Sequence, residues 1–196
     1  ANDPAGNESP ESISFTLRID TQAPDAPQIV SAAITGGEGE VLLANGSITN
    51  QRMPTLSGTG EPGTIITLYN NGVELATVQV NPQGSWTYPL TRNLSEGLNI
   101  LTATATDAAG NSSPTSGVFS VTLDTQPPAQ PDAPLISDNV GEVQDTIVSG
   151  ATTDDNTPVI HGTGDIGSII TLYNGSSVLG VVTVDETGTW TLPVTS

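Results

Sequence analysis

Three carboxylates lie in short polar segments that are far apart in the sequence. Asp20 opens the segment DTQAP, Glu61 lies in GEPG, and Asp107 opens DAAGN. Carboxylate oxygens, with main-chain carbonyls nearby, are the ligands that Ca²⁺ prefers. Zinc sites instead use His and Cys, and the chain has one His and no Cys. If these acids bind a metal, the sequence therefore favours calcium.

The three acidic positions recur at an offset of 104 residues. Asp124 corresponds to Asp20, Asp165 to Glu61, and Asp3 to Asp107. Taken singly, each acid has a plainer explanation, because an aspartate often closes its own turn or starts a linker. Their joint recurrence favours calcium, so all of these acids are predicted metal ligands.

A second acidic cluster is predicted in a long loop of the last part of the chain. Asp138 lies in SDNVGEVQD, while Asp154 and Asp155 lie in TTDDNTP, and Asp145 is a weaker candidate. The corresponding loop 104 residues earlier lacks these aspartates. The cluster is therefore either a second calcium site or a solvated acidic loop.

The overall charge narrows the classes of partner. The chain carries 21 acidic and three basic residues, which gives a net charge of −18. The charge disfavours nucleic acid and anionic membrane surfaces as partners, because phosphate binding needs clustered Lys or Arg. Self-repulsion of this size also destabilises a compact state unless cations neutralise it.

No catalytic set is evident, and the chain is predicted not to be an enzyme. His161 is the single histidine and aligns with Ser57, so a repeated Ser–His–Asp triad is impossible. Paired carboxylates for glycoside hydrolysis would need a walled cleft. Acids at the tips of turns fit metal binding better.

An internal repeat determines the predicted organisation. PTLSGTGEPGTIITLYN at Pro54 recurs as PVIHGTGDIGSIITLYN at Pro158, and residues 53–90 and 157–194 share 18 identities in 38 positions. Repeats must be found before the fold is assigned. The prediction is the tail of one repeat (1–20), a complete repeat (21–124) and the N-terminal part of the next (125–196).

The complete repeat has the pattern of an all-β domain. Its 104 residues contain short β-branched runs separated by turn signals such as NNG at Asn70. This pattern is typical of an immunoglobulin-like sandwich, and the prediction is a linear array of seven-strand antiparallel sandwiches. The seven strands of the complete repeat are expected at about 27–34, 53–59, 64–70, 74–80, 85–90, 98–106 and 116–123.

The aromatic residues are predicted to fill the core between the sheets. Trp86 and Trp190 each follow a glycine turn, and Tyr69 and Tyr173 each end a strand. Stacking against a carbohydrate is the alternative for the tryptophans. Core packing is favoured because a domain with so few aromatic residues needs its Trp inside.

Alternating strand directions place the three acids at one end of the complete repeat. The second-to-third, fourth-to-fifth and sixth-to-seventh loops return to the end where the chain enters. Asp20, Glu61 and Asp107 are therefore predicted to meet at a junction between domains.

These motifs together resemble the bacterial Ig-like repeats of giant surface adhesins that are exported by type I secretion. The residues that carry the resemblance are DTxAP, SGTxEPG, a Gly-x-Trp, TATDxAGN and a second DTxxP. The resemblance implies a secreted, monomeric rod on the bacterial surface, with calcium between neighbouring repeats of the same chain. It implies attachment to host cells through the full-length adhesin. The alternative function is that these repeats themselves bind a host glycan or protein receptor.

Residues 125–196 are expected to be unstable in isolation. They lack counterparts of the last two strands predicted for 21–124, so one sheet would keep unpaired edges. Thermal unfolding of this fragment, followed by circular dichroism, should show no cooperative transition. A sharp, reversible transition would contradict this expectation.

Overall fold

Every regular element in the described part of the chain is a β-strand. The computed structural model describes residues 1–36, 39–141 and 144–194. It divides into two compact units, which are Ala1–Thr125 (unit 1) and Gln126–Ser196 (unit 2). The strands of unit 1 are β1 (Gln28–Gly36), β2 (Gly39–Leu43), β3 (Ser47–Thr49), β4 (Thr55–Thr59), β5 (Ile65–Asn70), β6 (Val73–Gln79), β7 (Ser85–Pro89), β8 (Gly97–Thr106) and β9 (Phe119–Leu123).

Unit 1 is a sandwich of two sheets, and the all-β immunoglobulin-like prediction is confirmed. One sheet has the strand order β2-β1-β4-β7, and the other has the order β3-β9-β8-β5-β6. Along β8 and β9 the side chains alternate between the core and the outer face. The buried cluster draws residues from both sheets, including Leu56 and Trp86 from one and Leu68 and Val121 from the other.

The seven predicted strands are present, and the structure adds β2 and β3 in the segment that was predicted as a loop. β2 continues β1 as an antiparallel hairpin. β3 then crosses to the other sheet and pairs with β9 in parallel, which corrects the purely antiparallel prediction. The crossing is held by Asn45, whose Oδ1 accepts the Ser120 N–H at 2.7 Å. Such a pairing joins residues more than seventy positions apart, so local turn signals do not show it.

Both tryptophans are buried, as predicted. Trp86 is 2 % exposed and Trp190 is 3 % exposed. Each indole Nε1 donates a hydrogen bond of 3.1 Å to a main-chain carbonyl, from Trp86 to Thr59 and from Trp190 to Thr163. A buried indole N–H needs such a partner. The tryptophans therefore lie in the buried clusters and are not offered to a ligand.

The prediction for the two tyrosines is wrong. Tyr69 is only half-buried and lies outside the core cluster, while Tyr173 is 61 % exposed. On β5 the inward positions are Ile66 and Leu68, both 0 % exposed. Because successive side chains of a strand point to opposite faces, Tyr69 belongs to the outer face.

The NNG hairpin has the predicted geometry. Asn71 has φ of 50° and Gly72 has φ of 78°, and Asn70 pairs with Val73 across the turn. Two positive φ values in succession define the primed turn that fits the twist of a hairpin.

Unit 2 repeats four strands of unit 1 at the offset of 104 residues. Strands β12 to β15 match β4 to β7 residue for residue, and the bulge after Leu68 recurs after Leu172. On β13, Ile170 and Leu172 are only half-buried, and this strand pairs with β14 alone among the described residues. The strands of unit 2 are β10 (Leu135–Ser137), β11 (Thr146–Ile147), β12 (Val159–Thr163), β13 (Ile169–Asn174), β14 (Ser177–Thr183) and β15 (Thr189–Pro193).

The segment before β1 carries a strand-like pattern that has no assigned strand. The apolar residues alternate with polar ones, and their exposed fractions run from 71 % to 94 %. They are Ile13, Phe15, Leu17 and Ile19. That residues 1–20 are the tail of a preceding repeat stays a prediction.

Substituting Gly58 should destabilise unit 1 strongly. A Cβ at this position would lie 1.9 Å from the Gln28 carbonyl oxygen and 2.4 Å from the Trp86 ring. Gly58→Ala should therefore lower the free energy of unfolding by about 3 kcal/mol or more. Urea unfolding followed by tryptophan fluorescence measures the change.

Gly117→Ala is the matched control, because its Cβ would meet nothing within 4 Å. Equal stability of the two variants would contradict the packing assigned to Trp86.

Candidate calcium sites

The strand register brings four segments of unit 1 to one end of the sandwich. Ile65, at the start of β5, pairs with Thr106 at the end of β8 and with Gln79 at the end of β6. At the same end, Gln28 at the start of β1 pairs with Thr59. The loops that follow β4, β6 and β8 therefore lie where β1 begins.

The Asp107 loop is closed by the aspartate itself. Its Oδ1 accepts the main-chain N–H groups of Ala109 and Asn111, at 2.9 and 2.8 Å. Its Oδ2 accepts the Asn111 side-chain amide at 2.8 Å. These bonds, first of all the one from the Asn111 side chain, hold the pKa of Asp107 below its ordinary value of 3.8. Closing this turn is thus a structural role of Asp107.

The segment DPAGN at Asp3 folds in the same way. Asp3 accepts the N–H groups of Ala5 and Asn7 at 3.0 and 2.9 Å, and the Asn7 side chain at 2.8 Å. The Asn7 side chain is again the main cause that lowers the pKa of the aspartate. Because these bonds are all local, the loop sequence needs no neighbouring sheet to close it.

The Asp107 loop also touches the chain where it enters unit 1. The Asn111 side-chain amide that binds Asp107 lies 3.3 Å from the Asp20 carbonyl oxygen. The Asp20 Oδ1 accepts the Gln22 N–H at 3.1 Å. The structure therefore brings the main chain at Asp20 close to the Asp107 loop through Asn111.

Glu61 lies at the same end of the sandwich, but the surface depression that it lines does not include Asp20 or Asp107. Its carbonyl oxygen accepts the Thr64 N–H and hydroxyl, at 3.2 and 2.7 Å, and this closes the turn. Glu61 and Asp25 are among the residues that line a depression of about 460 Å³. Asp25 is not among the predicted ligands, although it lies only five residues after Asp20 in the same linker.

The oxygen ligands available at this end of the sandwich suit calcium, but the described side chains do not form a complete metal-binding site. Among the described residues, no three His, Cys, Asp or Glu side chains are grouped closely enough to hold a metal ion. Asp20 and Asp107 are linked, and Glu61 lies apart with Asp25. Calcium at Asp20, Glu61 and Asp107 stays a prediction.

The acids predicted for the second junction each belong to their own unit. In unit 1, the Asp124 N–H donates to the Thr49 carbonyl at 2.9 Å. In unit 2, the Asp165 Oδ2 accepts the Ala129 N–H at 2.6 Å. A metal role for Asp124 and Asp165 stays a prediction.

The acidic cluster predicted in the long loop of unit 2 is held in place by hydrogen bonds within that loop. Asp138 accepts the Val140 N–H at 3.0 Å and the Thr153 hydroxyl at 2.6 Å. Asp155 is 5 % exposed and accepts the N–H groups of Asn139 and Thr157, at 3.2 and 2.8 Å.

The other two candidates of this loop are exposed. Asp145 accepts the Thr146 N–H at 2.7 Å, and the Asp154 carboxylate lies beside the main chain of Gly141. Glu142 and Val143, which belong to the predicted loop motif, lie outside the described residues. The loop acids therefore have structural partners, and metal binding by them is untested.

In the turn at Asp185, both oxygens of the aspartate carboxylate accept hydrogen bonds. It accepts the N–H and hydroxyl groups of Thr187 and Thr189 at 2.6–3.0 Å. These bonds, led by the Thr187 hydroxyl, hold its pKa far below the ordinary range. Asn81 fills the matching turn in unit 1, which indicates that the position requires an acceptor and does not require charge.

Residues 31–125 match the family model described as Bacterial Ig-like domain. This segment covers β1 from its fourth residue to the end of unit 1, so the match supports a bacterial Ig-like domain here. A search of curated proteins found no match. Domains of this family are generally not enzymes and are typically extracellular or associated with the cell surface. The structure contains no helix, within the described residues, that could span a membrane.

Removing the Asn111 side chain should raise the pKa of Asp107. The folded-state pKa of Asp107 lies below its ordinary value, so its contribution to stability is present above about pH 4 and lost as pH falls through the folded value. In Asn111→Ala the carboxyl should titrate closer to 3.8, as measured by NMR of the carboxyl carbon.

Asp3 is the internal control, because Asn7 rather than Asn111 closes its loop. Its titration should be the same in both proteins. An unchanged Asp107 titration would show that the side-chain bond is not formed in solution.

Proposed function

We propose that this chain is a structural spacer of a bacterial surface adhesin and that calcium stiffens its domain junctions. The observation that carries the spacer role is the repeated architecture. Four strands recur at a constant offset, together with the Trp–carbonyl bond and the bulge. A unit that is repeated with the same internal bonds suits a protein that must gain length without changing its fold.

The motifs resemble those of the giant non-fimbrial adhesin of Salmonella, and we propose an adhesin of that kind. In such a protein the repeats hold a distal binding region away from the bacterial surface. Attachment to host cells would then depend on the full-length protein and not on a pocket in these units.

The burial of both tryptophans supports the spacer over a glycan-binding module. Sugar recognition uses an aromatic face that is open to the ligand, whereas Trp86 and Trp190 are at most 3 % exposed. His161 is half-buried on β12, and within the described residues its ring forms no hydrogen bond to a side chain that would activate it for catalysis. These facts give no support to a hydrolase.

Charge repulsion supports calcium as the stiffening agent. Asp25 and Glu61 line the same depression, and Asn111 joins the main chain at Asp20 to the Asp107 carboxylate. With a net charge of −18 and one end rich in acids, a divalent cation would relieve repulsion there. Calcium would take oxygens from Asp20, Glu61 and Asp107, with Asp25 as a further donor.

The expected affinity is that of extracellular modules, with Kd of about 10⁻⁴ to 10⁻³ M. At roughly 1 mM free calcium and Kd of about 0.1 mM, mass action shifts a two-state equilibrium about tenfold toward the bound form. This shift is small for unfolding, but it is enough to bias the angle between neighbouring repeats.

Isothermal titration with calcium tests the site. Asp107→Ala should weaken binding more than Asp107→Asn, because alanine removes the charge and also the acceptor that closes the loop. Glu61→Gln should weaken binding as well. Glu74→Gln, an exposed carboxylate on β6, is the matched control and should bind as the unchanged protein does. Equal affinity in all variants would overturn the assigned ligands.

Small-angle scattering tests the stiffening. In a protein with at least two complete repeats, a chelator should shorten or broaden the distribution of interatomic distances, and calcium should restore it. If the maximum dimension and the distribution do not change, calcium does not stiffen the junctions.

A further inference from the structure

The chain contains three Asn–Gly pairs, and the asparagine of each pair is exposed. They are Asn45–Gly46, Asn71–Gly72 and Asn174–Gly175. In such a pair the main-chain nitrogen of the glycine can attack the side-chain carbonyl carbon of the asparagine, because glycine has no Cβ to obstruct the approach and its backbone rotates freely. Since all three asparagines are exposed, exposure does not distinguish the pairs, and their hydrogen bonds must.

In the first pair both reacting groups are held by hydrogen bonds. Asn45 Oδ1 accepts the Ser120 N–H at 2.7 Å, and the Asn45 side-chain amide donates to the Val118 carbonyl oxygen at 3.2 Å. The Gly46 N–H, which carries the attacking nitrogen, donates to the Ser120 carbonyl oxygen at 2.8 Å. Attack would require all of these bonds to break, so the contacts with β9 and the residue before it protect this pair.

In the second pair the asparagine is held by β8. Asn71 Oδ1 accepts the Ile100 N–H at 3.0 Å, and the Asn71 N–H donates to the Ile100 carbonyl oxygen at 2.8 Å. β8 lies beside the β5–β6 hairpin because it pairs with β5 along the whole of that strand. The side-chain carbonyl that would be attacked is therefore fixed by two bonds to one residue of a neighbouring strand.

In the third pair neither reacting group is held. Asn174 and Gly175 lie at the tip of the β13–β14 hairpin, where Asn174 pairs with Ser177. Among the described residues β13 pairs with β14 alone, so no strand lies beside this hairpin as β8 lies beside the hairpin of unit 1. Within the same part of the chain, the Asn174 side chain and the Gly175 N–H form no hydrogen bond. Both groups are therefore free to react.

From these contacts we propose that Asn174 is a site of spontaneous deamidation and that the fold ranks the pairs in the order Asn174, Asn71, Asn45. The Gly175 nitrogen attacks Cγ of Asn174, and a nitrogen–carbon bond forms. The bond from Cγ to the side-chain nitrogen breaks, and ammonia leaves with the proton that the Gly175 nitrogen gave up. Water then opens the five-membered succinimide ring at either carbonyl, which gives aspartate or isoaspartate.

The reaction changes both the charge and the main chain of the hairpin. Either product adds a carboxylate to a chain whose net charge is already −18. Isoaspartate also adds one methylene group to the main chain at the residue that pairs with Ser177, so the hydrogen bonds that close the hairpin no longer fit. The β13–β14 hairpin should therefore weaken as the protein ages. This inference goes beyond the proposed spacer role and does not depend on calcium.

Ageing the whole chain tests the proposal. The protein is kept in heavy-oxygen water at mildly alkaline pH, and peptide mapping by mass spectrometry follows aspartate and isoaspartate at the three positions. Asn174 should convert about tenfold or more faster than Asn71, because the reaction of Asn71 must first break two further hydrogen bonds. Asn45 should be the slowest. Equal rates at the three positions of the folded protein would overturn the proposal.

The same measurement in concentrated urea is the control for local sequence. With the folded structure removed, the three pairs should convert at similar rates, because each has the same two reacting residues. If the order found in the folded protein persists unchanged in urea, the folded structure does not set that order and the proposal fails.

Two variants test the chemical route. Asn174→Gln should stop conversion at this position, because the attack would then have to close a less favourable six-membered ring. Asn71→Gln is the matched control on the other hairpin and should leave the rate at Asn174 unchanged. A product at Asn174 that contains aspartate without isoaspartate would show direct hydrolysis and would overturn the succinimide route.

Amide hydrogen exchange tests the effect on the hairpin. The Val178 amide, on β14, should exchange about tenfold faster in the isoaspartate form than in fresh protein. Asn174→Asp adds the charge without the extra methylene and should exchange as fresh protein does, and the amides of β8 should keep their protection in all samples. Equal exchange of Val178 in the isoaspartate form and in fresh protein would overturn the weakening assigned to the hairpin.

Discussion

The contact between Trp86 and Gly58 is the constraint on which the rest of unit 1 depends. The indole ring occupies the space that a Cβ at residue 58 would need, and its N–H binds the Thr59 carbonyl at 3.1 Å. One large side chain thus ties β7 to β4 and fills the space between the sheets. In a domain with few aromatic residues, burying this ring supplies an unusually large share of the apolar area that stabilises the fold.

Once the sheets are packed, the register decides which loops become neighbours. The pairing of Ile65 with Thr106 and Gln79 brings three loops and the entering chain to one end. The acids in those loops have a structural role in the main chain, as the bonds that close the Asp107 turn show. A carboxylate that is fixed in this way keeps its charge at a defined place, so a structural role and a metal role are compatible.

The last residue of unit 1 is held by a different kind of interaction. At the loop end where the chain enters, charges of one sign accumulate, and a cation is the proposed remedy. At the exit, opposite charges on Arg52 and Glu96 meet at Thr125 and need no ion.

The sequence by itself determined the all-β class, the offset of 104 residues, the seven main strands and the burial of Trp86, because these follow from periodicity, turn chemistry and repetition. It erred on Tyr173, since a strand position near the end of a run does not tell which face is inward. Only the tertiary structure decided the parallel pairing of β3 and the bonds that Arg52 and Glu96 make to Thr125. Those contacts join residues from 29 to more than 70 positions apart, and a chain's local pattern does not encode which distant partner its packing will bring near.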